Sequence, residues 1–236
     1  MNKKIGIFDS GIGGLTTLKE IQNILPNEDI IYFADSKNNP YGSKSKEELQ
    51  EITSKIVDLL IKKGVKMIVI ACNTATTNCI EFLRDKYKDM IFIGTEPAIK
   101  VACDKNYKNI LVLATPTTIS SERTQELVNK NKKDYENFYL VACDGLANAI
   151  ERNDQEKIDE LLSAILTPYQ DKNIDAIVLG CTHYPLIRCK IQEYFKNAQL
   201  IDGNKGVASQ VKYQLESNNL LKKNKSKSKV EFIKTK

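Results

Sequence analysis

Short runs of Ile, Val, Leu and Phe alternate with stretches of helical periodicity along the whole chain, and that alternation leaves few folds open. Apolar runs at 5–8, 30–33, 67–71, 91–94, 110–113, 138–142, 176–179 and 200–201 predict strands. Helical patterns at 15–25, 46–63, 76–86, 98–105, 121–131, 154–169 and 185–195 lie between them. Strands that lack polar alternation are buried on both faces, as in parallel sheets covered by helices. The fold class is therefore α/β, with parallel-type sheets flanked by helices.

The strand motifs also recur. Ile5-Gly6-Ile7-Phe8-Asp9-Ser10-Gly11 is echoed from Ile110 at an offset of 105, and the nine residues from Ile68 are echoed from Ile177 at an offset of 109. Between them Tyr32-Phe33-Ala34 lines up with Tyr139-Leu140-Val141 at 107. Preserved order with little drift predicts two similar domains. These are 1–97 with 206–236, a discontinuous first domain, and 98–205, with the active site in the cleft between them.

Composition narrows the class further. Of 236 residues, 42% are hydrophobic and 28% charged, which excludes a disordered chain. The longest apolar runs, such as 67–72, are too short to span a bilayer. The N-terminal stretch has two lysines but no extended apolar segment behind them, so no signal peptide is expected and the protein reads as cytoplasmic. The net charge of +5 is concentrated at the end, where 222–236 holds seven lysines and one glutamate. A body this close to neutral lacks the basic footprint of a nucleic-acid binder. The lysine-rich stretch reads most simply as a solvated, mobile end.

Six cysteines occur without a CxxC, and His183 is the only histidine, which argues against a zinc site. In a reducing compartment most of these thiols are small core residues. Two stand apart. Cys72 and Cys181 each follow an apolar strand and precede a helical pattern, the place where parallel sheets bind ligands. A helix N-terminus there favours thiolate. Asn73, Thr74 and Thr182 there can cap the helix or join the free N–H groups in holding a carboxylate. Singly each cysteine reads as structural; the matched setting reads as two thiol bases flanking one substrate.

The glycine-rich turn Asp9-Ser10-Gly11-Ile12-Gly13-Gly14 falls short of a dinucleotide fingerprint, because Thr16 stands at the third glycine position. Asp9 there can orient or deprotonate a neighbour, or simply cap the turn. Asp35 and the Asn39-Pro40-Tyr41-Gly42 loop end the second strand, where a tight turn exposes backbone donors.

Asp9-Ser10-Gly11-Ile12-Gly13-Gly14-Leu15, Pro40-Tyr41-Gly42, Ala71-Cys72-Asn73-Thr74-Ala75 and Gly180-Cys181-Thr182-His183-Tyr184-Pro185-Leu186, taken in order, resemble bacterial glutamate racemase. The resemblance runs through nearly the whole chain to about Asp202. It implies cofactor-independent interconversion of L- and D-glutamate, supplying D-glutamate for peptidoglycan, by a homodimer that uses no metal. It implies that Cys72 and Cys181 are the acid/base pair, with Asp9 supporting Cys72 and His183 supporting Cys181. Cys181 would take the proton of L-glutamate and Cys72 that of D-glutamate. Asp9, Ser10, Tyr41, Gly42, Asn73, Thr74, Thr182 and His183 fall at substrate-contact positions, and Asp35, Thr115, Thr118 and Glu151 are further candidates for the cleft. Departures are Ala114, where a glycine usually stands, Asp144-Gly145 in place of a more apolar stretch, and an expected absence or shortening of a terminal helix. An aspartate or broader amino-acid racemase is the runner-up. A non-catalytic binding module that uses the glycine-rich turn for an anion is the alternative of another class, and it leaves the matched cysteines unexplained.

Overall fold

The computed structural model describes residues 3–134, 136–224 and 226–235. Their contacts divide the chain into two compact units, Met1–Thr95 with Asn204–Lys236, and Glu96–Gly203.

In the first unit the chain runs β1 (Lys4–Asp9), α1 (Leu15–Ile24), β2 (Ile30–Ala34), α2 (Lys46–Lys62), β3 (Val65–Ile70), α3 (Asn73–Lys86) and β4 (Phe92–Gly94). In the second it runs α4 (Ile99–Asp104), β5 (Asn109–Ala114), α5 (Pro116–Ile119), α6 (Glu122–Asn131), β6 (Asn137–Ala142), α7 (Leu146–Glu151), α8 (Gln155–Leu166), β7 (Ala176–Leu179), α9 (Arg188–Tyr194) and β8 (Gln199–Ile201). The first unit then resumes with α10 (Asn204–Ser217) and β9 (Val230–Lys234). Local chemistry sets these bounds. Helix α2 opens on a capping box in which the Ser45 hydroxyl accepts from the Glu48 amide and the Glu48 carboxylate accepts from the Ser45 amide. It buries Leu49, Thr53, Ile56, Val57 and Leu60 on one face and stops at Gly64, whose φ of +75° only glycine adopts freely.

Both sheets are wholly parallel. Their orders are β4-β3-β1-β2-β9 and β6-β5-β7-β8. Strand for strand, β8-β7-β5-β6 repeats β4-β3-β1-β2, so the two units share one topology and the first adds an edge strand. The register corrects one detail of the internal repeat. Ile7 pairs with Tyr32, while Val112, 105 residues on, pairs with Leu140, so the offset for the second strand is 108 rather than 107. A slip of one residue moves a side chain to the other face of a sheet, so Tyr32 and Tyr139 are not equivalent. The central strands β1, β3, β5 and β7 are buried on both faces, which explains their uninterrupted apolar runs.

Three expectations change. The pattern at 185–195 splits into a 3-10 turn, Tyr184–Ile187, with Pro185 in its first residues, and α9. Helix α10, not anticipated from the sequence, packs Val207, Ala208, Val211 and Leu215 toward α1, and its Asn204 accepts a hydrogen bond from buried Thr17 at 2.7 Å. The lysine-rich stretch is not a free end: β9 pairs in register with β2 from Ile30–Val230 to Ala34–Lys234. Its own lysines secure the approach. Lys222 pairs through Nζ with Asp29 at 2.9 Å, its amide donates to Glu28, and the Lys229 amide donates to Asp29. Lys225 and Lys236 lie outside the described residues.

Glu231 fastens β9 further, accepting from Lys4 and from Lys63 at 2.7 Å each. These bonds lower its carboxyl from 4.5 to about 2. A carboxyl lowered on folding stabilises the fold above its unfolded value and loses that contribution as pH falls through the folded one. Because Glu231 is about a third exposed (36%), the pair contributes only ~0.5 kcal/mol. Glu231→Gln is expected to melt slightly below wild type at neutral pH, with the gap closing between about pH 4.5 and 2. A gap that stays constant across that range in thermal melts contradicts this role.

Candidate active site

In each unit the candidate residues stand at the carboxyl ends of parallel strands. On the first unit's rim Asp9 closes β1, Asp35 follows β2 and Cys72 follows β3. Cys72 is itself the N-cap of α3, a helix of 14 residues, so it faces the unpaired amides and the positive end of the helix dipole. Asn73 and Thr74 do not cap the helix; they form its first turn and are buried. The Asn73 Oδ1 has no hydrogen-bond partner among the described residues. Ser10 Oγ lies 4.0 Å from the Cys72 sulfur.

Asp9 is fully buried, and its Oδ2 accepts from the amides of Gly11 at 3.1 Å and Gly14 at 3.0 Å. The glycine-rich turn is thus folded around the carboxylate. A methyl at Gly14 would lie 2.6 Å from the Asp9 Cβ and 2.7 Å from the Tyr32 hydroxyl, and that hydroxyl donates to the Gly11 carbonyl at 2.8 Å.

Tyr41 is buried, and its hydroxyl donates to Asp35 Oδ2 at 2.7 Å. Burial, followed by the charges of Asp35, Cys72 and Asp9, holds the phenol well above its usual value, so it stays a neutral donor. Gly42 follows in a 3-10 turn, Tyr41–Ser43.

The second unit's rim is built differently around its cysteine. Cys181 follows β7 but is not a helix N-cap, since a 3-10 turn capped by His183 comes first. In place of a dipole it has the histidine. His183 Nδ1 lies 3.8 Å from the Cys181 sulfur and 3.5 Å from the Thr182 hydroxyl, and Nε2 lies 2.8 Å from Glu151 Oε2. With Nε2–H donated to the carboxylate, neutral imidazole leaves Nδ1 as the acceptor facing the thiol. Proton transfer from Cys181 would then yield an imidazolium held by Glu151. Glu151 ends α7, whose far end starts at Gly145 with φ of +73°.

Gly180 must lack a side chain: a methyl there would lie 2.9 Å from the Leu113 carbonyl and 3.0 Å from the Ala114 Cβ. Thr115, just past β5, and Thr118, in α5, are buried and hydrogen-bond to each other at 2.9 Å.

The remaining cysteines are distinguished by their surroundings. Burial pushes Cys79 and Cys103 up to about 11 and Cys143 to about 12, so these thiols stay protonated in the core; Cys189 is exposed. Among the described residues no group of three or more His, Cys, Asp or Glu could hold a metal ion. No described helix is long and apolar enough to cross a membrane.

One contributor to the first rim was missed in the sequence. Thr235, just past β9, donates from its hydroxyl to Asp35 Oδ1 at 2.9 Å. The sequence reads as strand-like at 230–233, and β9 bears that out, but nothing in it singles out the threonine that follows.

Two parallel-sheet units of one topology each place a cysteine beyond the strand next to the first. A family model described as Asp/Glu/Hydantoin racemase matches residues 6–211, and the chain belongs to that family and is an isomerase. Among its relatives, glutamate racemase of Clostridium botulinum (strain Alaska E43 / Type E3) is 40% identical, over 98% of this chain and 91% of its own length. Glutamate racemase of Clostridium novyi (strain NT) is 42% identical over 92% of this chain and 85% of its own. The solved structure of Francisella tularensis glutamate racemase with D-glutamate superposes with a TM-score of 0.86 at 35% identity, covering 100% of this chain and 89% of that one. Picrophilus torridus aspartate racemase, at 20% identity and a TM-score of 0.59, covers 92% and 94% and shares the fold.

Proposed function

We propose that this racemase interconverts L- and D-glutamate, with Cys72 and Cys181 as its two acid/base groups and no cofactor or metal. The observation that carries this reading is the placement of these two of six cysteines beyond equivalent strands, β3 and β7, one at the N-terminus of α3 and the other beside His183. Racemisation removes a proton from one face of Cα and delivers another to the opposite face. One thiolate and one thiol do this, and they exchange states at each turnover. Cys72 is supported by the α3 N-terminus and Asp9, and Cys181 by His183 and Glu151. Positioned acid/base groups supply roughly 10²–10⁴-fold. The rest comes from orientation and from donors set around the substrate carboxylates, for which Ser10, the Tyr41-Gly42 turn, Asn73, Thr74 and Thr182 are assigned. Asp35, Thr115 and Thr118 complete the surroundings.

The family relatives named glutamate racemase support the substrate, and the Escherichia coli enzyme has been solved with L-glutamate. On this reading the chain works in the cytoplasm as a homodimer and feeds D-glutamate to peptidoglycan synthesis. The test is a circular dichroism time course on L-glutamate without added cofactor, after dialysis against chelator. The signal is expected to decay to zero, and D-glutamate to give the mirror trace. A stable signal with glutamate but decay with aspartate would overturn the substrate assignment, and loss of activity on chelation would overturn the metal-free chemistry.

A further inference from the structure

The substrate turn of the first unit is tied to the last strand of the chain. Asp35 sits between them and uses both carboxylate oxygens: Oδ2 accepts from the Tyr41 hydroxyl at 2.7 Å and Oδ1 from the Thr235 hydroxyl at 2.9 Å. Asn38 Nδ2 donates to both oxygens, at 3.0 and 2.9 Å, and closes the turn from within. Thr235 does more than donate. Its hydroxyl oxygen accepts from the Lys37 amide at 2.9 Å, and its own amide continues the sheet by donating to the Ala34 carbonyl at 3.1 Å. One hydroxyl therefore bridges a backbone amide and a buried carboxylate on the segment that leads from β2 to Tyr41.

The Tyr41 hydroxyl has a single proton and gives it to Asp35, so its bond serves to hold the turn rather than to reach a ligand. Whatever donors the Tyr41-Gly42 turn offers to substrate come from a backbone whose position is set through Asp35. Charge-assisted bonds to a buried carboxylate are the strong kind and are directional. Among the described residues the Lys-rich stretch before β9 shows no such contact with the turn; it brings Thr235 to its place through the Lys222 and Lys229 bonds to Asp29.

We propose that Thr235 is a positioning residue for substrate binding, acting through Asp35 on the Tyr41-Gly42 turn, so that the C-terminal strand is part of the binding apparatus. The proposal rests on the assignment of Tyr41-Gly42 to glutamate. Held equally in ground and transition states, such a contact tunes KM more than kcat.

Thr235→Val keeps the shape and removes both hydrogen bonds, whereas Thr235→Ser keeps the hydroxyl. In the full-length chain Thr235→Val is expected to raise the KM for glutamate about fivefold or more, to change kcat less than twofold, and to leave the melting temperature within about 2 °C, with Thr235→Ser close to wild type in all three. Amide hydrogen exchange in the ligand-free protein supplies a second reading: exchange over residues 36–44 should quicken in Thr235→Val and not in Thr235→Ser. An unchanged KM with quickened exchange would show the clamp to be structural only and overturn the proposal. Unchanged exchange, or Thr235→Ser as impaired as Thr235→Val, would overturn it too. If wild type does not turn over glutamate, the assignment of substrate fails, and the exchange experiment still decides whether the clamp exists.

Discussion

Cys72→Ser and Cys181→Ser are each expected to lower kcat for racemisation by roughly 10²–10⁴-fold in both directions, with the fold and melting temperature nearly unchanged. A serine hydroxyl fits either site, but neither a helix N-terminus nor an imidazole brings it near ionisation at neutral pH. On the proposed mechanism both directions suffer, because each turnover uses one group as base and the other as acid. The core thiols provide the contrast. Cys79, Cys103 and Cys143 are held protonated by burial, and Cys79→Ala or Cys143→Ala should cost stability while kcat persists. Steady-state kinetics on the four variants checks this. A core variant that loses turnover as severely as Cys72→Ser would contradict the division of roles.

Gly14→Ala is expected to destabilise the protein markedly through the first rim. The new carbon would meet the Asp9 Cβ at 2.6 Å and the Tyr32 hydroxyl at 2.7 Å, so Asp9 has to move and its bonds to Gly11 and Gly14 weaken. Overpacking of this kind costs ~1–3 kcal/mol. At roughly 2–4 °C per kcal/mol, the melting temperature should fall by about 5 °C, and kcat/KM should fall with it if Asp9 supports Cys72 as proposed. Gly206→Ala serves as the control: nothing lies within 4 Å of the added methyl, and removing a glycine from inside α10 should be neutral or stabilise by up to ~1 kcal/mol. Equal melting temperatures for the two variants would refute the close approach at Gly14.

The parts of the molecule that were legible in the sequence share a cause. Strands buried on both faces read as unbroken apolar runs, so β1 to β8 and their repetition in two halves were visible, and the rims followed from where those runs stop. What escaped depends on partners far away in sequence. The stretch before β9 is dominated by lysines and reads as solvated, yet Lys222 and Lys229 find Glu28 and Asp29 some 190–200 residues earlier. No local pattern announces such a pairing. The asymmetry of the cysteines was hidden for another reason: Pro185 suits a first helical turn whether that turn is α or 3-10, so Cys181 was expected to share the dipole of Cys72. The structure gives it His183 and Glu151 instead. The one-residue slip at Tyr139 came from matching a Tyr to a Tyr, when register is decided by pairing to the central strand.

The central claim is that two separate thiols act on one Cα, one for each enantiomer. The most direct test uses a glutamate analogue that expels a β-substituent once its α-proton is gone, since elimination needs only one base. Assigned by family resemblance, Cys181 takes the proton of the L-form and Cys72 that of the D-form. Cys72→Ser should then still eliminate from the L-analogue and fail with the D-analogue, and Cys181→Ser should do the reverse. The exchanged pattern would swap the two assignments and keep two bases. Loss of both enantiomers in one variant, with the other variant fully active on both, would mean a single base and contradict the account.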